Sequence, residues 1–445
     1  MISTSRTLRV AIIGAGPSGL YTADALTLEE GAAVAVDLIE RLPVPFGLLR
    51  YGVAPDHPNI KAAAEPLQDV LDRPTVRLFC NVEVGVDIDV AELRKRYDAI
   101  VYATGADADN ELRIPGEQLQ GSESATSFVR WYNGHPEATG YDLASVRAVA
   151  VIGAGNVALD VTRILVKSPA TLRSTDIDEA TLAALDDSAV TDVHIIARRG
   201  AEHAKFTTKE LRELGELPDV DIVVDRANIP PESAEGITGV AARNIKLLRA
   251  WSQRGTTGAA RRVHFHFSTR PTAVLGDAVV TGLRVEGTDT GDGNSRSDEI
   301  PVELVLRAVG YRSRPIDGIP FVDSTATIPH ENHRVVRDGR TESKEYAVGW
   351  VKRGPRGILG TNRSDAYDTA QAIFDDRDDL HSRRQDDAMP IEDLLQGRGI
   401  RFLGRDAWMS ISEHEVQLGA SHDRPRVKIR SWDALVAAGL TLDIN

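Results

Sequence analysis

Residues 8–40 constrain this chain more than any other stretch, because they read as an apolar strand, a glycine turn, a helix and a second strand. Leu8, Val10, Ile12 and Ile13 make the first strand, and Gly14-Ala15-Gly16-Pro17-Ser18-Gly19 supplies a G-x-G-x-x-G turn at its carboxyl end. Gly14 permits the tight turn, Gly16 lets backbone N–H groups approach a pyrophosphate, and Gly19 lets the helix pack closely on the strand. The positive end of that helix then suits the phosphates. The second strand, 34–39, ends at Glu40, an acceptor for the two hydroxyls of an adenosine ribose. Together these features predict a bound dinucleotide.

The same arrangement returns later. Residues 148–152 form another apolar strand, followed by Gly153-Ala154-Gly155-Asn156-Val157-Ala158 and a helix through Val166. This G-x-G-x-x-A variant keeps both turn glycines and puts Ala158 where helix and strand pack. Two such turns imply two dinucleotides. The strand after the second turn, 192–197, follows an acidic insertion at 174–187, read as a capped, solvated helix, and ends in Arg198-Arg199 rather than in an acid. Paired arginines there attract a 2'-phosphate through charge-assisted hydrogen bonds, which predicts NADP(H) over NAD(H).

At 445 residues the chain exceeds one ordinary core, and a change of character after residue 106 suggests a domain boundary there. With 42% hydrophobic and 27% charged residues it is expected to be globular. The net charge of -14 argues against a nucleic-acid footprint over the whole surface. No apolar run of about eighteen residues is present, and residues 1–7 are polar and short, so we expect neither a membrane span nor a signal peptide and a cytoplasmic location. Cys80 is the only cysteine. An internal disulfide, a C-x-x-C pair and a cysteine-ligated iron-sulfur cluster are therefore excluded, and any electron carrier must be organic. Cys80 itself reads as a small buried hydrophobe.

Between the turns, residues 41–58 are too rich in proline and glycine for a helix, and the stiffening by Pro43, Pro45, Pro55 and Pro58 suits a ligand wall. A helix is expected over 60–71, short strands at 76–79 and 82–86, and an apolar strand at 99–102 ending in Ala103-Thr104-Gly105. Further on, Phe206-Thr207-Thr208 and Glu210 mark a helix start whose Glu210 and Glu213 share one face. Residues 241–251 carry Arg243, Lys246 and Arg249 at intervals of three, with Arg254, Arg261 and Arg262 following. That basic face is either a docking site for an acidic partner or a solvated helix surface. A strand at 346–350 leads into a segment with Gly354, Gly357 and Gly360, which allow close approach to a flat ligand, and a helix at 364–374 capped by Ser364 or Asp365 follows. Residues 383–387 read as a charged linker and 391–445 as a tail with Trp408 and Trp432 as anchors.

With these pieces assembled, the chain resembles the adrenodoxin reductase type of ferredoxin-NADP reductase, including its bacterial members, over nearly its full length. The specific matches are Pro43-Val-Pro-Phe-Gly-Leu48, Gly52-Val-Ala-Pro-Asp-His-Pro58, Gly153-Ala-Gly-Asn-Val-Ala-Leu-Asp160, Phe206-Thr-Thr208 with Glu210, and Gly349-Trp-Val-Lys-Arg-Gly-Pro355 running to Gly357. The resemblance implies an α/β, glutathione-reductase-like fold with two Rossmann-like domains, the NADP domain (107–318) inserted into a FAD domain (1–106 and 319–445). By matching motif, it implies FAD held by Gly14, Gly16, Ser18, Gly19, Glu40, Leu48, Val84, Trp350, Gly357, Ile358 and Leu359. It implies NADP(H) held by Ala154, Gly155, Asn156, Val157, Arg198, Arg199 and Glu210, with Gly357 near the nicotinamide. His57 and Glu213 match residues close to that ring; His57, between Asp56 and Pro58, equally suits a loop-stabilising hydrogen bond. The implied reaction takes a hydride from NADPH onto FAD and passes single electrons to a ferredoxin, a separate acidic iron-sulfur protein. Ala154 stands where relatives can carry Gln, and the fused ferredoxin domain of some members is not present in these residues.

A dithiol reductase is excluded by the single cysteine. A flavin monooxygenase would use the same two turns, but no signature of an oxygen-consuming substrate site accompanies them. A non-catalytic redox sensor signalling through the basic helix would be distinguished by its lack of NADPH turnover.

Overall fold

The computed structural model describes residues 6–28, 33–232, 234–288, 297–380 and 388–440. The expected linker at 383–387 lies outside the described residues. The chain divides into two compact units: Met1–Ala108 with Tyr311–Asn445, and Asp109–Gly310. The resemblance implies these joins at 106/107 and 318/319.

The first unit is built on a seven-stranded sheet. Its order is His330–Glu331, Arg334–Arg337, Arg340–Ala347, Ala99–Tyr102, Leu8–Ile13, Val34–Glu40 and Val76–Cys80. From Arg340–Ala347 onward all pairings are parallel, and an antiparallel hairpin closes one edge. Parallel strands covered on both faces need apolar residues at successive positions, which the first strand supplies. Leu8, Val10 and Ile12 join one core cluster, while Ala11 and Ile13 join another. The helix Pro17–Leu28 packs against the helix Leu359–Asp375, so the chain's return to the first unit completes a layer begun near its start.

The second unit carries a six-stranded, all-parallel sheet in the order Ser122–Ser124, Leu304–Arg307, Ala148–Ile152, Asp192–Ile196, Arg261–His266 and Val220–Val224. The helices Asn156–Val166, Thr208–Gly215 and Gly239–Arg254 contribute to the core on one face. On the other face, Ala150, Ile152, Ile196 and Val305 cluster with Val274, Leu283 and Val285 of a three-stranded antiparallel sheet, Thr269–Leu275, Gly282–Gly287 and Ser297–Ile300. Both units are Rossmann-like α/β layers, the second inserted into the first. Among the described residues no helix is long and apolar enough to cross a membrane.

Several local expectations are corrected. The helix expected over 60–71 is three pieces, Pro58–Lys61, a 3-10 turn Ala62–Ala64 and Glu65–Leu71, with Pro66 in the first turn of the last, where its missing N–H does least harm. Residues 82–86 are not a strand; only an isolated bridge joins Val84 to Ile88, and Gly85 turns the chain at φ +94°. The strand expected at 346–350 ends at Ala347, and Trp350–Arg353 is a short helix. The helix expected at 364–374 begins at Leu359, so neither Ser364 nor Asp365 is its cap. The Asp365 carboxylate instead accepts from Gly349 N at 2.7 Å and pairs with Lys352 and Arg353. The inserted helix Glu179–Asp186 is capped by Asp178 as expected, but it buries Leu182 and Leu185 and is not merely solvated. The tail forms the helices Ile391–Gly397, Arg405–Ala420 and Trp432–Leu440.

Candidate functional site

In the first unit the glycine turn sits at the carboxyl end of Leu8–Ile13 and opens the Pro17–Leu28 helix, whose leading N–H groups have no intrahelical acceptor. Gly14 lies at φ +106°, and a Cβ there would stand 2.5 Å from Ala103 O. A Cβ on Gly19 would overlap Gly14 O, so only glycine lets the helix come this close. Gly16 faces open space but for Gly47 Cα at 4.0 Å, which leaves a cradle that a side chain would fill. A Cβ on Gly349 would overlap Ser18 Oγ, which brings the Trp350–Arg353 turn onto the same helix end. Leu48, half-buried, lies in the short helix Gly47–Tyr51 inside the proline loop, which corrects the expectation that 41–58 carries no helix; the stretch between Pro45 and Pro55 is long enough for one turn.

Glu40 is 9% exposed, and both carboxylate oxygens accept backbone N–H groups, Oε2 from Ala15 at 2.8 Å and Oε1 from Leu42 at 3.0 Å. Burial pushes this carboxyl above its ordinary pKa, against the pull of those two amides and of Arg41. Each oxygen keeps a lone pair for a ligand hydroxyl. The Trp350 ring lies against Tyr311 at 5.4 Å, and its Nε1, fully buried, has no hydrogen-bond partner among the described residues. An orphaned donor is where a ligand acceptor fits. Gly357, at φ +92°, and Ile358 are exposed ahead of the Leu359–Asp375 helix, whose first residue is half-buried, while Val84 is buried beside Gly85. His57 precedes the helix Pro58–Lys61; it is buried, and its carbonyl accepts from Ile60 N and Lys61 N at 3.1 and 3.2 Å.

The second unit repeats the turn. Gly153 lies at φ +146°, and a Cβ on Gly155 would meet nothing within 4 Å, which leaves an open cradle before the helix Asn156–Val166. Ala154 O accepts from Lys205 N at 2.7 Å and Asn156 Oδ1 from Thr207 N at 2.8 Å, so the turn is tied to the Phe206-Thr207 segment. Val157 is half-buried on the core. Thr207 caps the next helix, its Oγ1 accepting from Glu210 N at 3.3 Å. Arg198 and Arg199 are exposed; Thr288 Oγ1 and Ser268 N hold their carbonyls at 3.0 and 3.1 Å, and no described residue pairs with either guanidinium.

Glu210 and Glu213 differ more than their shared face suggested. Glu210 is buried and lies 3.2 Å from Arg163 Nη1, whereas Glu213 is half-buried and 3.6 Å from Lys209. Arg163 is almost wholly buried and also lies 2.8 Å from Asp160, a role the sequence reading missed; an arginine inside the apolar run Val161 to Val166 was the available signal. The basic face is thinner than its spacing implied. Arg243 and Lys246 are exposed, but Arg249 donates to Pro230 O at 2.6 Å, Arg261 to Val166 O at 3.0 Å, and Arg262 pairs with Asp192 at 2.6 Å. Cys80 is buried, its backbone paired with Leu403 and its thiol pushed up by burial, so it offers no redox group.

These two cradles agree with what the chain is similar to. The model of the pyridine nucleotide-disulphide oxidoreductase family matches residues 8–216. The NADPH-ferredoxin reductase FprA of Mycobacterium tuberculosis is 41% identical over 97% of this chain and 99% of its own length. The mitochondrial NADPH:adrenodoxin oxidoreductase of Arabidopsis thaliana is 36% identical over 98% of this chain and 96% of its own. The solved structure of M. tuberculosis FprA in complex with NADPH superposes with a TM-score of 0.91 at 39% identity, covering 98% of this chain and 100% of that one. The chain belongs to the adrenodoxin reductase type of NADPH-ferredoxin reductases.

Proposed function

We propose that this protein is an FAD-dependent NADPH-ferredoxin oxidoreductase. The observation that carries the reading is the pair of strand-turn-helix cradles with opposite charge at their second strand ends, Glu40 in one and Arg198-Arg199 in the other. FAD bound in the first cradle would supply a hydride acceptor for NADPH and one-electron transfer to a ferredoxin. In the first unit, Gly14, Gly16, Ser18 and Gly19 would hold the pyrophosphate at the helix end, and Glu40 the ribose. Trp350 Nε1, Leu48, Val84 and residues 357–359 would hold the ring system. In the second unit, Ala154, Gly155, Asn156 and Val157 would hold the NADP(H) pyrophosphate and Arg198 and Arg199 its 2'-phosphate. Glu210, held beside Arg163, would complete the NADP(H) site. His57 and Glu213 are assigned to nicotinamide placement, since direct hydride transfer requires no general base.

For the partner we propose an acidic iron-sulfur ferredoxin that meets Arg243 and Lys246, with Arg249 buttressing the helix through Pro230 O and Glu232. Lys246→Glu should raise the ferredoxin KM and flatten its salt dependence while leaving the NADPH KM unchanged. The whole reading is tested by mixing FAD-loaded protein, NADPH and a ferredoxin. Reduction at about 1 per second or faster is expected. Absence of NADPH-dependent reduction with any ferredoxin would contradict it.

A further inference from the structure

The helix Arg405–Ala420 has no part in either cradle as assigned above, yet it grips the loop that lies on the first one. Phe46 sits in the left-handed region at φ +79°, followed by Gly47 at φ +47°. Phe46 N donates to Ala15 O at 2.8 Å, and a Cβ on Gly47 would stand 3.2 Å from Gly16 Cα. This loop therefore rests directly on the glycine turn. A phenylalanine at positive φ is an outlier that persists only where its surroundings hold it.

What holds it comes from the tail. The Phe46 ring meets Trp408 edge-on at 5.6 Å, and Trp408 Nε1 donates to Gln68 Oε1 at 2.8 Å. Arg50, four residues beyond Phe46 and 7% exposed, places Nη2 2.5 Å from Glu415 Oε1, and its guanidinium lies 5.5 Å over the Trp408 ring and 5.0 Å over the Tyr51 ring. Glu415 is wholly buried and also takes Arg426 at 3.3 Å and Ile429 N at 2.9 Å. Trp408 and Glu415 are seven residues apart on one helix, two turns along the same face. A buried ion pair of this kind adds little stability over apolar packing, but removing one partner strands a buried charge.

We propose that the Arg405–Ala420 helix is a clamp that holds Phe46 and Gly47 on the pyrophosphate turn, with Arg50, Trp408 and Glu415 as positioning residues for FAD retention. The proposal rests on the assignment of FAD to the first cradle. It is tested by measuring FAD binding to the deflavinated full chain by flavin fluorescence, for wild type, Glu415→Gln, Trp408→Phe and a control, Leu93→Ala, whose side chain is buried in a different cluster of the same unit. Glu415→Gln is expected to raise the FAD Kd about tenfold, and Trp408→Phe about threefold, with NADP+ affinity unchanged. The control, compared at equal loss of Tm, should stay within about twofold. If Glu415→Gln gives no folded protein, Trp408→Phe carries the test. FAD affinity that stays at the wild-type value in the folded variants, or that merely follows Tm as in the control, would overturn the clamp. Wild-type protein that bound no FAD would overturn the cofactor assignment and the clamp with it.

Discussion

The two glycine turns share a backbone plan but differ in what closes them. In the first, Glu40 is buried and both its oxygens already hold backbone amides of the turn and of the residue after next. In the second, Arg198 and Arg199 stand exposed, with their backbone fixed and no described partner for either guanidinium. The third turn residue differs likewise: Gly19 tolerates no Cβ, whereas Ala158 carries one in the buried core. A tightly closed, pre-organised cradle suits a resident cofactor, and an open one with solvated cations suits a nucleotide that must come and go.

Breaking the first turn should have the largest effect. Gly19→Ala drives a methyl into Gly14 O and should cost about 3 kcal/mol or more, with loss of bound FAD, while Ala158→Gly should cost only ~1 kcal/mol and leave NADPH binding intact. Visible absorbance of the purified variants together with their Tm checks both. Similar losses from the two substitutions would erase the contrast.

Acid should separate the units next. His194 and His266 face each other across adjacent strands of the second sheet, Nδ1 to Nε2 at 3.0 Å, with His264 stacked on His194 at 4.5 Å and bonded to Asp192 at 2.7 Å. Burial first, then the neighbouring imidazoles, pulls His194 down to about 3 and His266 to about 4. Folded-state values below the unfolded ones mean that this stability is complete above about pH 6.5 and is lost as pH falls from there toward the folded values. Between pH 6.5 and 5 the pair should remove roughly 3 kcal/mol. Hydrogen exchange at pH 5 should therefore show Asp192–Ile196 and Arg261–His266 opening more than at pH 7, and His194→Gln with His266→Gln should flatten the dependence. Asp192 is held well below the carboxylate range by Arg262 and loses its own contribution only under stronger acid.

The charge contrast at the strand ends comes third. Replacing Arg198 and Arg199 by Ala should raise the NADPH KM about 100-fold and leave the NADH KM within about twofold, since each charge-assisted contact is worth ~1.5 kcal/mol. Equal KM shifts for both nucleotides would contradict the 2'-phosphate assignment. Glu40→Gln should have the smallest effect, weakening FAD about fivefold, because the amide oxygen still accepts one backbone N–H while the other loses its acceptor.

The parts of this design carried by neighbouring residues were legible in the sequence. Both turns, the two opposite strand ends and the Thr207 start of the Glu210 helix read directly from local spacing. Boundaries that depend on long-range partners did not. Asp365 looked like a cap because its neighbours fit one, but its partners are Gly349, Lys352 and Arg353 on an adjoining turn. Arg249 looked like part of a docking stripe until Pro230 O claimed it. The Arg50 to Glu415 pair spans 365 residues, and the histidine column needs two strands in register, so neither has a local signature.

The most direct test of the central claim is the visible spectrum of the anaerobic protein before and after NADPH or NADH is added in separate samples. The account predicts a bound-flavin band that bleaches with NADPH well before it bleaches with equal NADH. A protein with no flavin band, or one that neither nucleotide bleaches, would contradict it.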